Sequence, residues 1–113
     1  MINDAPSGNN SNFTIRVPLM MVQITEPNGS VLPISFDWTE PDGQKVNVTI
    51  DRVVSITPEA EIKSGAVGDR YDCEIMGKRE LLYYSKLAPR KWFKILPVSE
   101  QEYNAYYPLP GEA

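Results

Sequence analysis

GAVGDRYDCEIMGKRELLYYSKLAPRKWFKI, residues 65–95, decides the fold. Two alternating runs, residues 70–76 and 79–85, flank Gly77-Lys78, which puts glycine at the first central position of a II′ hairpin turn. That turn pairs Met76 with Arg79 and Tyr71 with Tyr84. Tyr71, Cys73, Ile75, Leu82 and Tyr84 then share one face, the candidate core, while Asp72, Glu74, Arg79, Leu81 and Tyr83 share the other. Residues 86–91 read as a loop and residues 92–96 as the last strand, stopped by Pro97.

Upstream lies a repeated turn. Glu26-Pro27-Asn28-Gly29-Ser30 recurs as Glu40-Pro41-Asp42-Gly43-Gln44. Proline presets φ, Asn or Asp tolerates the next position, and glycine takes the left-handed residue that closes a three-residue hairpin loop. The turns join strands at residues 13–25, 31–39 and 45–56 into a meander. In the first strand Phe13, Ile15, Val17 and Leu19 share one parity, and Met20, Val22 and Ile24 the other. A bulge near residues 18–21, or burial on both faces, is expected, and Pro18 points to a sheet edge.

In the third strand Arg52 falls on the parity of Val46, Val48, Ile50, Val54 and Ile56. A bulge at Asp51-Arg52 that turns the arginine outward is favoured over an inward guanidinium, which needs a carboxylate or a bound anion. Thr57-Pro58-Glu59-Ala60 carries an N-cap, an N1 proline and first-turn acid, so a short helical turn is expected there. Ser99-Glu100-Gln101-Glu102 is a capping box for a short C-terminal helix, about residues 100–106, with Tyr103, Tyr106 and Tyr107 at helical spacing. Those tyrosines read as a lid on the barrel in preference to a docking tail.

The composition narrows the chemistry. The chain has 113 residues, 42% hydrophobic and 23% charged, with a formal net charge of -4, which argues against a protein that coats nucleic acid over its whole surface. There is no histidine and one cysteine, so imidazole bases, Cys-His pairs, zinc sites of the Cys/His kind and CxxC redox chemistry are excluded. Cys73, at a core-parity position, reads as a small buried hydrophobe. Asp69, Asp72 and Glu74 are the remaining acid-base or Mg²⁺ candidates, but Arg70 and Arg79 oppose them as cross-strand ion pairs would. A non-enzyme without cofactor or metal is the expectation. Residues 1–12 read as a disordered leader without the features of a secretory signal, and no apolar run is long enough to span a membrane. The cytoplasm is the expected compartment.

One local cluster invites a binding role. Lys78, Arg79, Lys86, Arg90, Lys91 and Lys94 are interleaved with Tyr83, Tyr84, Trp92 and Phe93. Small barrels that bind single strands use cations along the backbone and aromatic faces under the bases. Alternation forbids Trp92 and Phe93 from both facing outward in a regular strand. The candidate binding residues are Arg52, Arg70, Tyr83, Lys86, Arg90, Lys91 and Trp92, with Arg52 and Arg70 as a possible anion site.

Trp38, Gly43, Val48-Thr49-Ile50-Asp51-Arg52-Val53, Gly65, Gly68-Asp69-Arg70-Tyr71-Asp72-Cys73, Gly77, Leu82-Tyr83-Tyr84 and Lys91-Trp92-Phe93 together resemble the pattern W…G…VxRV…G..G.RY.C…G…L.Y…WF, with Ile50 at its first valine. On these residues the chain, from about 30 to 95, resembles a group of small bacterial β-domains that carry no assigned activity. The resemblance implies a β-barrel and transfers no catalytic residue.

The expected architecture is an all-β, small antiparallel SH3-like barrel of about six strands, with a helical turn before strand four and a short C-terminal helix. A Greek-key sandwich is the alternative. The barrel spans residues 13–97 and the helix and tail residues 98–113. The expected role is a binding or accessory module for a partner protein or a second copy of the chain, with single-stranded nucleic acid as the alternative ligand.

Overall fold

The computed structural model describes residues 13–61, 67–87 and 91–108. The leader at 1–12, the start of the Gly65–Gly68 turn, Arg90 and the end of the tail lie outside the described residues. Among the described residues seven strands form one sheet: β1 (Phe13–Thr25), β2 (Val31–Thr39), β3 (Lys45–Thr49), β4 (Arg52–Glu61), β5 (Val67–Ile75), β6 (Lys78–Ser85) and β7 (Lys91–Val98). One helix, α1 (Glu100–Tyr106), follows. The order in the sheet is β3-β2-β1-β7-β6-β5-β4. The chain divides into two compact units, Pro18–Lys94, and Met1–Val17 with Ile95–Ala113.

The meander forms as the turn chemistry dictates. In each turn the glycine adopts a positive φ, 91° at Gly29 and 89° at Gly43, and donates its N–H to the glutamate carbonyl three residues back at 2.8 Å. The Asn28 and Asp42 side chains accept the N–H of Ser30 and Gln44, both at 2.9 Å. The antiparallel ladders β1–β2 and β2–β3 follow.

The single third strand expected over residues 45–56 is instead two, and the corner falls at Ile50-Asp51. Successive amides of an extended chain point to opposite edges. Ile50 N–H therefore reaches back to Ile34 O in β2, while Asp51 N–H reaches Glu74 O in β5, both at 2.9 Å. The inward parity changes here, since Ile50 and then Val53 join the core while Arg52 turns out. The two ends of the sheet order are thus consecutive in the chain, and among the described residues no ladder joins β3 to β4. This replaces the expected closed six-stranded SH3-like barrel.

The helical turn expected at Thr57–Ala60 is also absent; these residues are part of β4. Pro58 has no N–H to give to a ladder, and Glu59 takes φ 51° in a register shift between Thr57 and Ala60. The Glu59 N–H is held at 3.0 Å by Asp69 Oδ1. The residue types that start a helix also serve a bulge, and a carboxylate ten residues away decides between them.

The β5–β6 hairpin turns on Met76-Gly77, not Gly77-Lys78. Both residues have positive φ, 52° and 78°, as a type I′ turn requires, so Ile75 pairs with Lys78 and Tyr71 with Leu82. The slip of two positions preserves parity. Tyr71, Cys73, Ile75, Leu82 and Tyr84 are all buried, as the alternation implies.

The core of Pro18–Lys94 gathers Leu19, Val31, Phe36, Ile50, Trp92 and the inward hairpin face. The Tyr71 hydroxyl donates to Val31 O at 2.7 Å, a contact between strands four places apart in the sheet order, so the sheet curls over its inner face. Tyr71 and Tyr84 pack on Trp92 with ring centroids 4.7 and 4.9 Å away. Such aromatic pairs add about 0.5–1.5 kcal/mol each beyond the area they bury.

In the other unit α1 begins with the capping box. Ser99 Oγ accepts from Glu102 N–H, and Glu102 Oε1 accepts from Ser99 N–H. These bonds, the one to the Ser99 backbone first, hold the Glu102 carboxyl below its ordinary range. Tyr107 O–H accepts Arg16 N–H and Tyr106 O–H donates to Arg16 O, each at 3.0 Å, while Tyr103 packs on Phe13 at 5.2 Å. The tyrosines therefore pack on the first residues of strand β1. Among the described residues no helix is long and apolar enough to cross a membrane.

Candidate functional site

β1 presents an unusual outer face. Met20, Val22 and Ile24 point out at alternate positions and are 82%, 59% and 52% exposed. The phase switch expected at residues 18–21 does not occur: Leu19 and Met21 face the core, and the irregularity lies between Val22 and Gln23. Nor is β1 an edge strand, since β2 and β7 flank it. Pro18 is tolerated because the ladder to β2 begins only at Met20.

Beside this stripe runs a groove of about 550 Å³. Met20 and Val22 form one wall, Asp37, Asn47 and Lys91 supply polar groups, and Phe36 and Trp92 reach it from the core. The ladders explain the polar rim, because Met20, Asp37 and Asn47 stand in one cross-strand row, where Asn47 donates to Asp37 at 3.1 Å.

Of the sequence-derived candidates, Lys91 and Trp92 line this groove. Trp92, however, is a core residue, 4% exposed, with its indole N–H bonded to Gln23 Oε1 at 2.8 Å. Its ring therefore offers no exposed face for stacking a base. Tyr83 is half-buried and stacks on the buried Phe93 at 5.6 Å, with 17° between the ring planes. Among the described residues Arg70 reaches Thr57 Oγ1, at 3.4 Å.

Four other cations are paired among the described residues. Arg52 meets Glu74 at 3.0 Å, Arg79 meets Asp72 at 3.2 Å, Lys94 meets Glu80 at 2.8 Å, and Lys86 lies 3.5 Å from Asp69. Lys94 also sits 5.4 Å over the Trp38 ring. Arg52 and Arg70 are thus in separate cross-strand rows, Arg52 opposite Glu74 and Arg70 opposite Thr57, and do not converge as an anion site.

Asp72 and Glu74 are engaged by these arginines, and Cys73 is fully buried. Burial first, then the Asp72 carboxylate, pushes the thiol up to about 11, away from the thiolate that a nucleophile needs. Among the described residues no three metal-ligating side chains come together.

The sequence does not mark the stripe on β1, because outward apolar residues in a strand look the same as inward ones. The chain matches no protein-family model, no curated protein and no solved structure.

Proposed function

We propose that this chain is a non-enzymatic binding module that contacts a partner protein through the outer face of β1 and its groove. The observation that carries the reading is the exposure of Met20, Val22 and Ile24 on a strand inside the sheet, beside a polar-rimmed groove. Contiguous apolar side chains left in water, edged by polar residues, are the usual mark of a protein-binding surface. The same geometry favours a protein over single-stranded nucleic acid. Four of the chain's cations sit against carboxylates, and the tryptophan that would stack a base is in the core.

The test begins with a Met20→Lys/Val22→Lys variant, which should keep the wild-type circular dichroism and unfolding midpoint because both side chains are exposed. Proteins retained by the wild type and lost by the variant are then purified and titrated directly. A purified partner whose affinity falls at least about tenfold with the variant supports the reading. Equal affinity for both forms overturns it. Salt-sensitive binding of a labelled oligonucleotide, undiminished in the same variant, returns the chain to the nucleic-acid alternative.

A further inference from the structure

A second cavity, of about 590 Å³, lies away from the β1 groove, between the turn of residues 26–30 and strands β4, β5 and β6. Asp69, Tyr71, Tyr84, Glu26, Ile56 and Lys86 line it. Asp69 is the only buried charged residue among the described residues, 7% exposed. Its Oδ1 is committed to the Glu59 N–H. Its Oδ2 faces Lys86 Nζ at 3.5 Å, too long for a hydrogen bond, so the carboxylate keeps acceptor capacity toward the cavity. The Lys86 side chain is 61% exposed and lies against the carboxylate from outside.

We infer that this cavity is a binding site for a primary alkylammonium group, with Lys86 as its built-in surrogate. A buried carboxylate demands a cation, and the pocket supplies one from a flexible, mostly solvated side chain. Tyr71 and Tyr84 add electron-rich rings to the wall, and Ile56 gives apolar contact to an alkyl stem. Glu26 and Asp69 together outweigh Lys86, so the lining carries net negative charge. Burial, then the Asp69 charge, raise the Tyr71 phenol, so that residue stays neutral and donates to Val31 O. A ligand enters by exchanging one ammonium for another: Lys86 swings into water as the incoming group takes its place on Oδ2. The ammonium comes from a free alkylamine or from a lysyl side chain.

The probes are n-butylammonium, a capped Gly-Lys-Gly tripeptide and, as the neutral control, n-butanol. Each is titrated against ¹⁵N-labelled protein while the amides of Glu59, Asp69 and Tyr71 are followed. The wild type should bind butylammonium in the millimolar range, and Lys86→Ala, which removes the competitor, should bind it about tenfold more tightly. Asp69→Asn retains an oxygen for the Glu59 N–H, and so the fold, but should lose at least about tenfold in affinity. A tighter tripeptide identifies a lysyl side chain as the natural source; a tighter butylammonium identifies a free amine. Butanol shifts equal to those of butylammonium, or no response in Lys86→Ala, overturn the inference. These amides do not border Met20 or Val22, so failure here leaves the β1 reading untouched, and the converse holds.

Discussion

The Trp92 indole N–H donates to the Gln23 side-chain carbonyl at 2.8 Å across 69 residues of sequence. This bond orients the ring on which Tyr71 and Tyr84 pack in the core of Pro18–Lys94. Gln23→Leu removes the acceptor and leaves a partly buried donor unpaired, a cost of about 1–2 kcal/mol. Trp92→Ala should cost about 3–5 kcal/mol, as truncation of a buried aromatic does. Urea unfolding monitored by circular dichroism checks both. A Trp92→Ala protein of wild-type stability would mean that the side chain works at the surface after all.

Met76 occupies a backbone conformation that asparagine and glycine adopt far more readily. Its φ is 52°, next to Gly77 at 78°, and its side chain is exposed. Met76→Asn gives the turn the Asn-Gly pair that type I′ geometry prefers and should stabilise the protein by about 0.5–1 kcal/mol. Gly77→Ala, which adds a side chain at positive φ, should destabilise it by about 1 kcal/mol. Nothing lies within 4 Å of a Cβ there, so that cost is conformational and not steric contact with a neighbour. Equal midpoints for wild type, Met76→Asn and Gly77→Ala would refute the type I′ assignment.

The legibility of this fold tracks the distance over which each decision is made. The two meander turns are read correctly because proline, Asn or Asp, and glycine settle them within five residues. The buried face of the hairpin is legible because it depends on parity alone. Its register is not, because Met76 accepts a left-handed conformation with its N–H held at 2.8 Å by Asp51, 25 residues away. The bulge at Glu59 likewise rests on Asp69, and the corner at Ile50-Asp51 on amides that reach different strands. The candidate site was the least legible part. Local charge density suggests a basic surface around Lys86–Lys94, whereas pairing of neighbouring strands brings Asp69 and Glu80 onto two of those lysines. The outward stripe on β1 had no sequence signature separating it from a second buried face.

The tyrosines at the end of α1 and its C-cap close the backbone of β1 with side chains. Tyr107 accepts the Arg16 N–H and Tyr106 donates to the Arg16 carbonyl, so one residue of strand is capped on both groups by the helix. Tyr107→Phe removes the acceptor while keeping the ring packing on Tyr103 and Tyr106. Amide exchange at Arg16 should then quicken by about tenfold, the loss of roughly 1 kcal/mol of local protection, with the exchange of Tyr71 and Cys73 unchanged. Unchanged exchange at Arg16 would show that the helix docks without these bonds.

Cys73 gives the fold an alkaline limit. The thiol has an ordinary value near 9.0 and is pushed up to about 11 in the folded state by burial and then by Asp72. The folded protein therefore prefers the protonated thiol. That preference contributes its full stability below pH 9, where the thiol is protonated in both states, and is lost as the pH rises from 9 to 11. A shift of this size corresponds to about 2–3 kcal/mol, and Tyr71, also raised, adds to the loss in the same direction at higher pH. Urea midpoints across this window should fall steeply in the wild type. Cys73→Ala, with a lower midpoint at neutral pH from the small cavity it leaves, should show a shallower fall. Consistent with its burial, Cys73 should react with a thiol reagent at neutral pH only as fast as the protein unfolds. Rapid labelling of the native protein, or identical pH slopes for wild type and Cys73→Ala, would place the thiol outside the core.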